Sequence, residues 1–174
     1  MEINPIDKAH DLMEKLKNYD PSIRTKSDKG YEWLEEETDI CIEVLNPDPN
    51  ASVKDMIIHC EDDGEFTLYF GVHSHFYPYE HEYESMCELA LGMLNNEYCA
   101  KNVFCGEEKK WMLGGFDTRE ELESPIWEDL VRLLEDKDYM YIAEKIKANG
   151  GEVHYFFWDS TYNKIIKIDK EIQK

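Results

Sequence analysis

Histidine and carboxylate are the residue types in this chain that could hold a metal or move a proton, and they crowd one stretch of it. His73 and His75 flank Ser74. At strand spacing such a pair projects two imidazoles from one face, about 7 Å apart. His59 falls on the strand expected to pair with theirs, and Glu80, His81 and Glu84 follow closely. Imidazole with carboxylate is a ligand set for zinc or a similar divalent ion, so His59, His73, His75 and His81 form a candidate metal set. The pattern is unspecific. His81-Glu82 opens the zinc-protease signature, but Ser85 stands where that signature needs its second histidine. The expectation is no metal and no cofactor, with a metal-dependent or small-molecule enzyme on the His59/His73/His75 face as the alternative.

Other catalytic signatures are absent. The sequence contains no GxGxxG, no phosphate-loop motif and no GxSxG around any serine. Gly114-Gly115 follows an expected strand but leads into no helix bearing a phosphate-binding lysine, and reads as a turn. Carboxylates are too numerous for one pair to stand out as general acid and base. No catalytic residue is assigned, and the chain is read as a binding protein.

Aromatic residues make up 13% of the chain, including eleven tyrosines. Tyr77, Tyr79 and Tyr83 lie within eight residues of one another among Glu80, Glu82 and Glu84. Large stiff rings ringed by charge are what protein-binding hot spots use. Pro78 and Glu80 put Tyr77 and Tyr79 at a strand end, where exposure is expected. These six residues are the candidate partner-binding set. A second cluster, Tyr155 to Trp158, is apolar on both faces and reads as a central strand buried on both sides.

Charge sets the kind of partner. The chain of 174 residues carries 19 Lys and Arg against 39 Asp and Glu, a net charge of −20. Residues 31–100 alone hold seventeen acids and one base, Lys54, while residues 1–30 are balanced at six of each. Repulsion from phosphate argues against nucleic acid and against anionic membranes. A single-sign field suits a basic protein partner.

In size, acidity and aromatic content the chain resembles bacterial immunity or inhibitor proteins. That resemblance implies a small cytoplasmic α+β domain that neutralises a basic toxin, such as a nuclease, by covering its active site. It rests on no specific motif and carries over no residues. A homo-oligomer is compatible with the sequence. Five cysteines without a CxxC pair suggest reduced, partly buried thiols, as in the cytosol. Met1 to Pro5 shows no signal-peptide pattern, and no window approaches the roughly 18 apolar residues of a membrane span.

Periodicity supplies the elements that carry these residues. Asn4-Pro5 begins a helix with Ile6, Ala9, Leu12, Met13 and Leu16 on one stripe, ending near Tyr19. Pro21 to Gly30 is a polar connector, and Tyr31 to Leu34 reads as a short strand before a firmer one at Asp39 to Leu45. Met56, Ile58 and Cys60 alternate in one strand, and Phe66, Leu68, Phe70 and Val72 in the next. A three-residue loop, Asp62-Asp63-Gly64, places glycine where such hairpins need a left-handed residue. It pairs Cys60 with Phe66, Ile58 with Leu68 and Met56 with Phe70. His59, Thr67, Tyr69, His73 and His75 are then expected together on a half-wet opposite face.

A helix over about Glu82 to Asn95 follows, then a hairpin around Gly106-Glu107-Glu108 and a capping box at Thr118 to Glu121. Further helices begin at Ser124-Pro125 and run through Ile142 and Ile146, and two strands close the chain. The expected fold is one α+β domain over 1–174, with an N-terminal helix and connector in 1–30 and the rest in 31–174. It has a mainly antiparallel sheet of about six to eight strands, with about three to five helices on one face or at the ends.

Overall fold

A computed structural model describes residues 5–61, 64–77, 79–123 and 140–170. The chain is α+β and falls into two compact units, residues 1–95 and 96–174. The first holds helix α1 (Pro5–Lys15), strands β1 (Ser22–Arg24), β2 (Ile40–Leu45), β3 (Asp55–Cys60), β4 (Phe66–Phe70) and β5 (His73–Tyr77), and helix α2 (Tyr83–Leu94). The five strands form an antiparallel meander in chain order. The second unit holds β6 (Tyr98–Cys105), β7 (Lys110–Thr118), helix α3 (Met140–Asn149), β8 (Gly151–Phe156) and β9 (Lys164–Ile168). Its antiparallel sheet runs β7-β6-β8-β9.

The β3–β4 hairpin has the register that alternation demands. Met56 faces Phe70, Ile58 faces Leu68 and Cys60 faces Phe66. Gly64 has φ +90 and closes the turn by donating its N–H to the Glu61 carbonyl at 3.1 Å. Ile42 and Val44 of β2 extend the same apolar rows, because they face Ile58 and Met56. Ala9, Leu12 and Leu16, from α1 and the residue after it, and Met86, Ala90 and Met93 of α2 are buried. Tyr83 binds the helices to this face: its ring lies 5.3 Å from Phe66, and its hydroxyl donates to Asp11 Oδ2 at 2.7 Å.

Nine strands are found among the described residues, more than expected, and in two sheets rather than one. Two local features explain the count. Residues 21–30 carry β1, held on β2 by Arg24, whose Nη2 lies 2.7 Å from Glu43 Oε2. The strand expected from Phe66 onward is broken at Gly71 (φ +63) and Val72, and the chain then folds back as β5. Tyr31 to Leu34 forms no strand. It lies in consecutive turns, with Tyr31 N–H bonded to the Asp28 carbonyl and Leu34 N–H to that of Tyr31.

In the second unit β8 is a central strand between β6 and β9, and Tyr155, Phe157 and Trp158 are buried. Ile142 and Ile146 of α3 pack with Val103 and Val153. Helix α3 ends at Asn149 before Gly150 (φ +71), as the Asn-Gly-Gly sequence requires. The capping box at Thr118 starts a 3₁₀ turn, Glu120–Glu123. The helix expected from Ser124, together with Asn4, Asp62, Asp63 and Pro78, lies outside the described residues. Among the described residues no helix is long and apolar enough to cross a membrane.

Candidate functional site

The turn at Gly71-Val72 decides where the histidines go. A two-residue turn pairs Phe70 with His73 and Leu68 with His75, so both histidines share the apolar face of the sheet. His59 faces Thr67 and Cys41 on the other side. A strand continuing straight through would have kept His59, His73 and His75 together, and the turn reverses that parity. His81 lies beyond β5 on a 3₁₀ turn, Glu80–Glu82, with its ring stacked on Tyr79 at 5.4 Å. The four candidate ligands of the alternative reading are thus split across the sheet. No group of three or more His, Cys, Asp or Glu among the described residues is arranged to hold a metal.

The expected partner-binding set is also divided. Tyr77 is only 6% exposed, faces Phe66 and lies 4.6 Å from the His75 ring. Tyr83 is buried between α1 and β4. Neither is a surface anchor. The same parity reversal that moves His73 turns Tyr77 inward. Tyr79 is 60% exposed, and Glu84 is exposed beside it. That patch is not purely acidic: Lys8 Nζ sits 4.2 Å over the Tyr83 ring, and Lys15 Nζ reaches Glu84 Oε2 at 3.0 Å. Glu82 has a buried Oε2 that makes no hydrogen bond. Glu80 opens the 3₁₀ turn.

A different group forms the better-defined cleft. On the second face of the five-stranded sheet, Cys41, His59, Thr67 and Phe76 line up across β2 to β5, with Ile57, Tyr69 and Ser74 in the adjacent row. The segment before β2 covers part of this face. Tyr31 and Leu34 pack with Cys41 and Ile57, which leaves Trp33 between them and solvent. Trp33 is 47% exposed, its ring edge-on to His59 at 5.3 Å and to Tyr69 at 6.1 Å.

Trp33, His59 and Tyr69 help to bound a cleft of about 470 Å³. Trp33 and Tyr69 wall it, His59 and Asp39 lie deepest, and Glu35, Glu36 and Glu61 stand around the opening. Among the described residues no Lys or Arg lines it. Asp39 is positioned by the turn before β2, since its Oδ2 accepts the Glu36 N–H at 3.2 Å. The same oxygen is 3.4 Å from His59 Nε2, and Glu61 Oε1 is 3.5 Å from Nδ1. Burial and the nearby Cys41 and Glu61 raise the Tyr69 phenol above its ordinary value. Burial, then Asp39, pushes the Cys41 thiol up to about 12.

An imidazole between two carboxylates can relay a proton, but among the described residues the cleft lining includes no Ser, Thr, Cys or Lys nucleophile. What the arrangement does well is attract positive charge. Sequence reading missed Trp33, Asp39 and Tyr69 as a group. The available signal was a tryptophan directly before Leu34 and the acidic run Glu35 to Glu37, a costly residue to leave in a polar segment unless it covers something. No protein-family model, curated protein or solved structure matches this chain.

Proposed function

We propose that this protein is an acidic, cytoplasmic binding domain of the immunity or inhibitor type, which neutralises a basic toxin by covering its active site. A nuclease suits that role, because a surface built to hold phosphate presents the positive charge that this one lacks. The observation that carries the reading is the second face of the first unit's sheet. It combines exposed aromatics, Trp33 and the 49% exposed Phe76, with a carboxylate-lined cleft whose described lining holds no Lys or Arg. Rim carboxylates raise the association rate, while a desolvated ring slows dissociation. Trp33 takes over the anchoring role first expected of Tyr77 and Tyr79.

The test is retention from native lysate at low salt, elution with added salt, and kinetics on the partner recovered. Reversing Glu35 and Glu36 to Lys is expected to slow association and flatten its salt dependence. Trp33→Ala is expected to speed dissociation, by a loss on the order of 2 kcal/mol. If Tyr79→Ala speeds dissociation and Trp33→Ala does not, the interface lies at the α1/α2 side instead. Binding indifferent to salt and to all of these changes would end the proposal.

A further inference from the structure

The cleft does more than lend negative charge to a surface, because a buried polar atom of a residue that lines it is left without a hydrogen bond. His59 is 7% exposed, and its Nε2 has no hydrogen-bond partner although Asp39 Oδ2 stands 3.4 Å away. Nε2 and Asp39 Oδ2 thus stand side by side without a hydrogen bond between them, and a buried polar atom left so is costly until a partner bridges the pair. In the same cleft lining, the Trp33 and Tyr69 rings offer aromatic surface against which a flat cation packs. Lys26, a base beside this segment, is committed elsewhere: its Nζ bonds to the Glu35 carbonyl at 2.8 Å and lies 3.8 Å from Glu37.

We infer that the cleft is a socket for one arginine side chain of the basic partner. A guanidinium meets each requirement at once. It is planar and stacks on aromatic rings, it carries several N–H donors in a fixed fork, and it stays charged at every physiological pH. One edge can bridge Asp39 Oδ2 and His59 Nε2 while Glu61 or Glu36 takes another N–H. A lysine ammonium supplies charge but neither the fork nor the flat stacking surface. A cleft of about 470 Å³ has room for the whole side chain. This inference rests on the docking role proposed above and specifies what enters the cleft.

The test uses the full chain and small probes, followed by NMR of the Trp33 indole N–H, assigned with Trp33→Phe, and of the His59 ring. Nα-acetyl-arginine amide is expected to shift both signals saturably with a dissociation constant of about 1 mM. Nα-acetyl-citrulline amide, of the same shape without charge, should leave them unmoved, and Nα-acetyl-lysine amide should bind about tenfold more weakly. Asp39→Asn should weaken the arginine probe about tenfold. Glu61→Gln makes the same check on a more exposed residue, should the first variant fail to fold. Equal responses to arginine and citrulline, or none to arginine, overturn the inference. Agmatine binding more tightly than the peptide-like probe would assign the cleft to a free small cation and overturn it too. The two proposals fail separately: a partner retained at low salt whose dissociation ignores Asp39→Asn overturns the socket and leaves the docking proposal standing. An arginine response with no salt-sensitive partner would leave the cleft chemistry without the docking role.

Discussion

At the scale of single residues, the interior of the first unit is set against charge. Cys41, Cys60 and Cys87 are buried, and burial raises all three thiols, Cys41 to about 12 and Cys87 to about 11. The thiolate is the reactive form, so these groups are both shielded and unreactive at neutral pH. Cys99 is buried as well, and only Cys105 is partly exposed. Iodoacetamide under native conditions is expected to modify Cys105 alone, and mass spectrometry after unfolding should find the other four newly reactive. Early labelling of Cys41 or Cys60 would show that the sheet opens. Asp55 gives a second check. Burial first, then Glu43, raises its carboxyl above the ordinary value, so its ionised form is disfavoured in the fold. A raised carboxylate subtracts stability at neutral pH, and that loss is recovered as pH falls through the folded value. Asp55→Asn is therefore expected to stabilise slightly at pH 7, read as a higher denaturation midpoint. The gain should vanish on acidification in denaturant titrations.

At the scale of elements, the β3–β4–β5 meander holds the site. Its inner rows are tested by Leu68→Asp, which puts an unpaired charge among Ile58, Phe70 and the helices, at a cost on the order of 4 kcal/mol or more. On the second face Thr67 is buried between His59 and Phe76, so it is not the wet position that alternation suggested. The exposed control is Ser74 on β5. Ser74→Asp is expected to change stability by no more than about 0.5 kcal/mol. Equal tolerance of Asp at 68 and 74 in thermal melts would mean that the faces are reversed.

At the scale of the whole molecule, self-repulsion sets the response to salt. With a net charge of −20, the folded chain is destabilised by its own field. Raising salt from about 10 mM to about 150 mM shortens the screening length from about 30 Å to about 8 Å, and the melting temperature is expected to rise by several degrees. The same calorimetry addresses cooperativity. Helix α2 ends at Leu94 and β6 begins at Tyr98, so no long linker separates residues 1–95 from 96–174. One transition is the expected outcome, and two well-separated ones would show the units melting independently.

Much of this was written locally. Period-two alternation and the glycine at position 64 were enough for the β3–β4 register, since a one-residue slip would expose every apolar side chain. Proline at position 5 and Asn149-Gly150 marked the start of α1 and the end of α3 for equally local reasons. The acidic region was legible as composition alone. The site was not. Whether the chain runs straight past Phe70 or turns at Gly71-Val72 changes little in the alternation, yet it moves His73, His75 and Tyr77 to the opposite face of the sheet. Trp33 meets His59 and Tyr69 only because the turns after β1 fold it over two strands distant in sequence. Local pattern specifies which residues share an element's face. Which faces meet depends on non-local packing, and that was decided only in the tertiary structure.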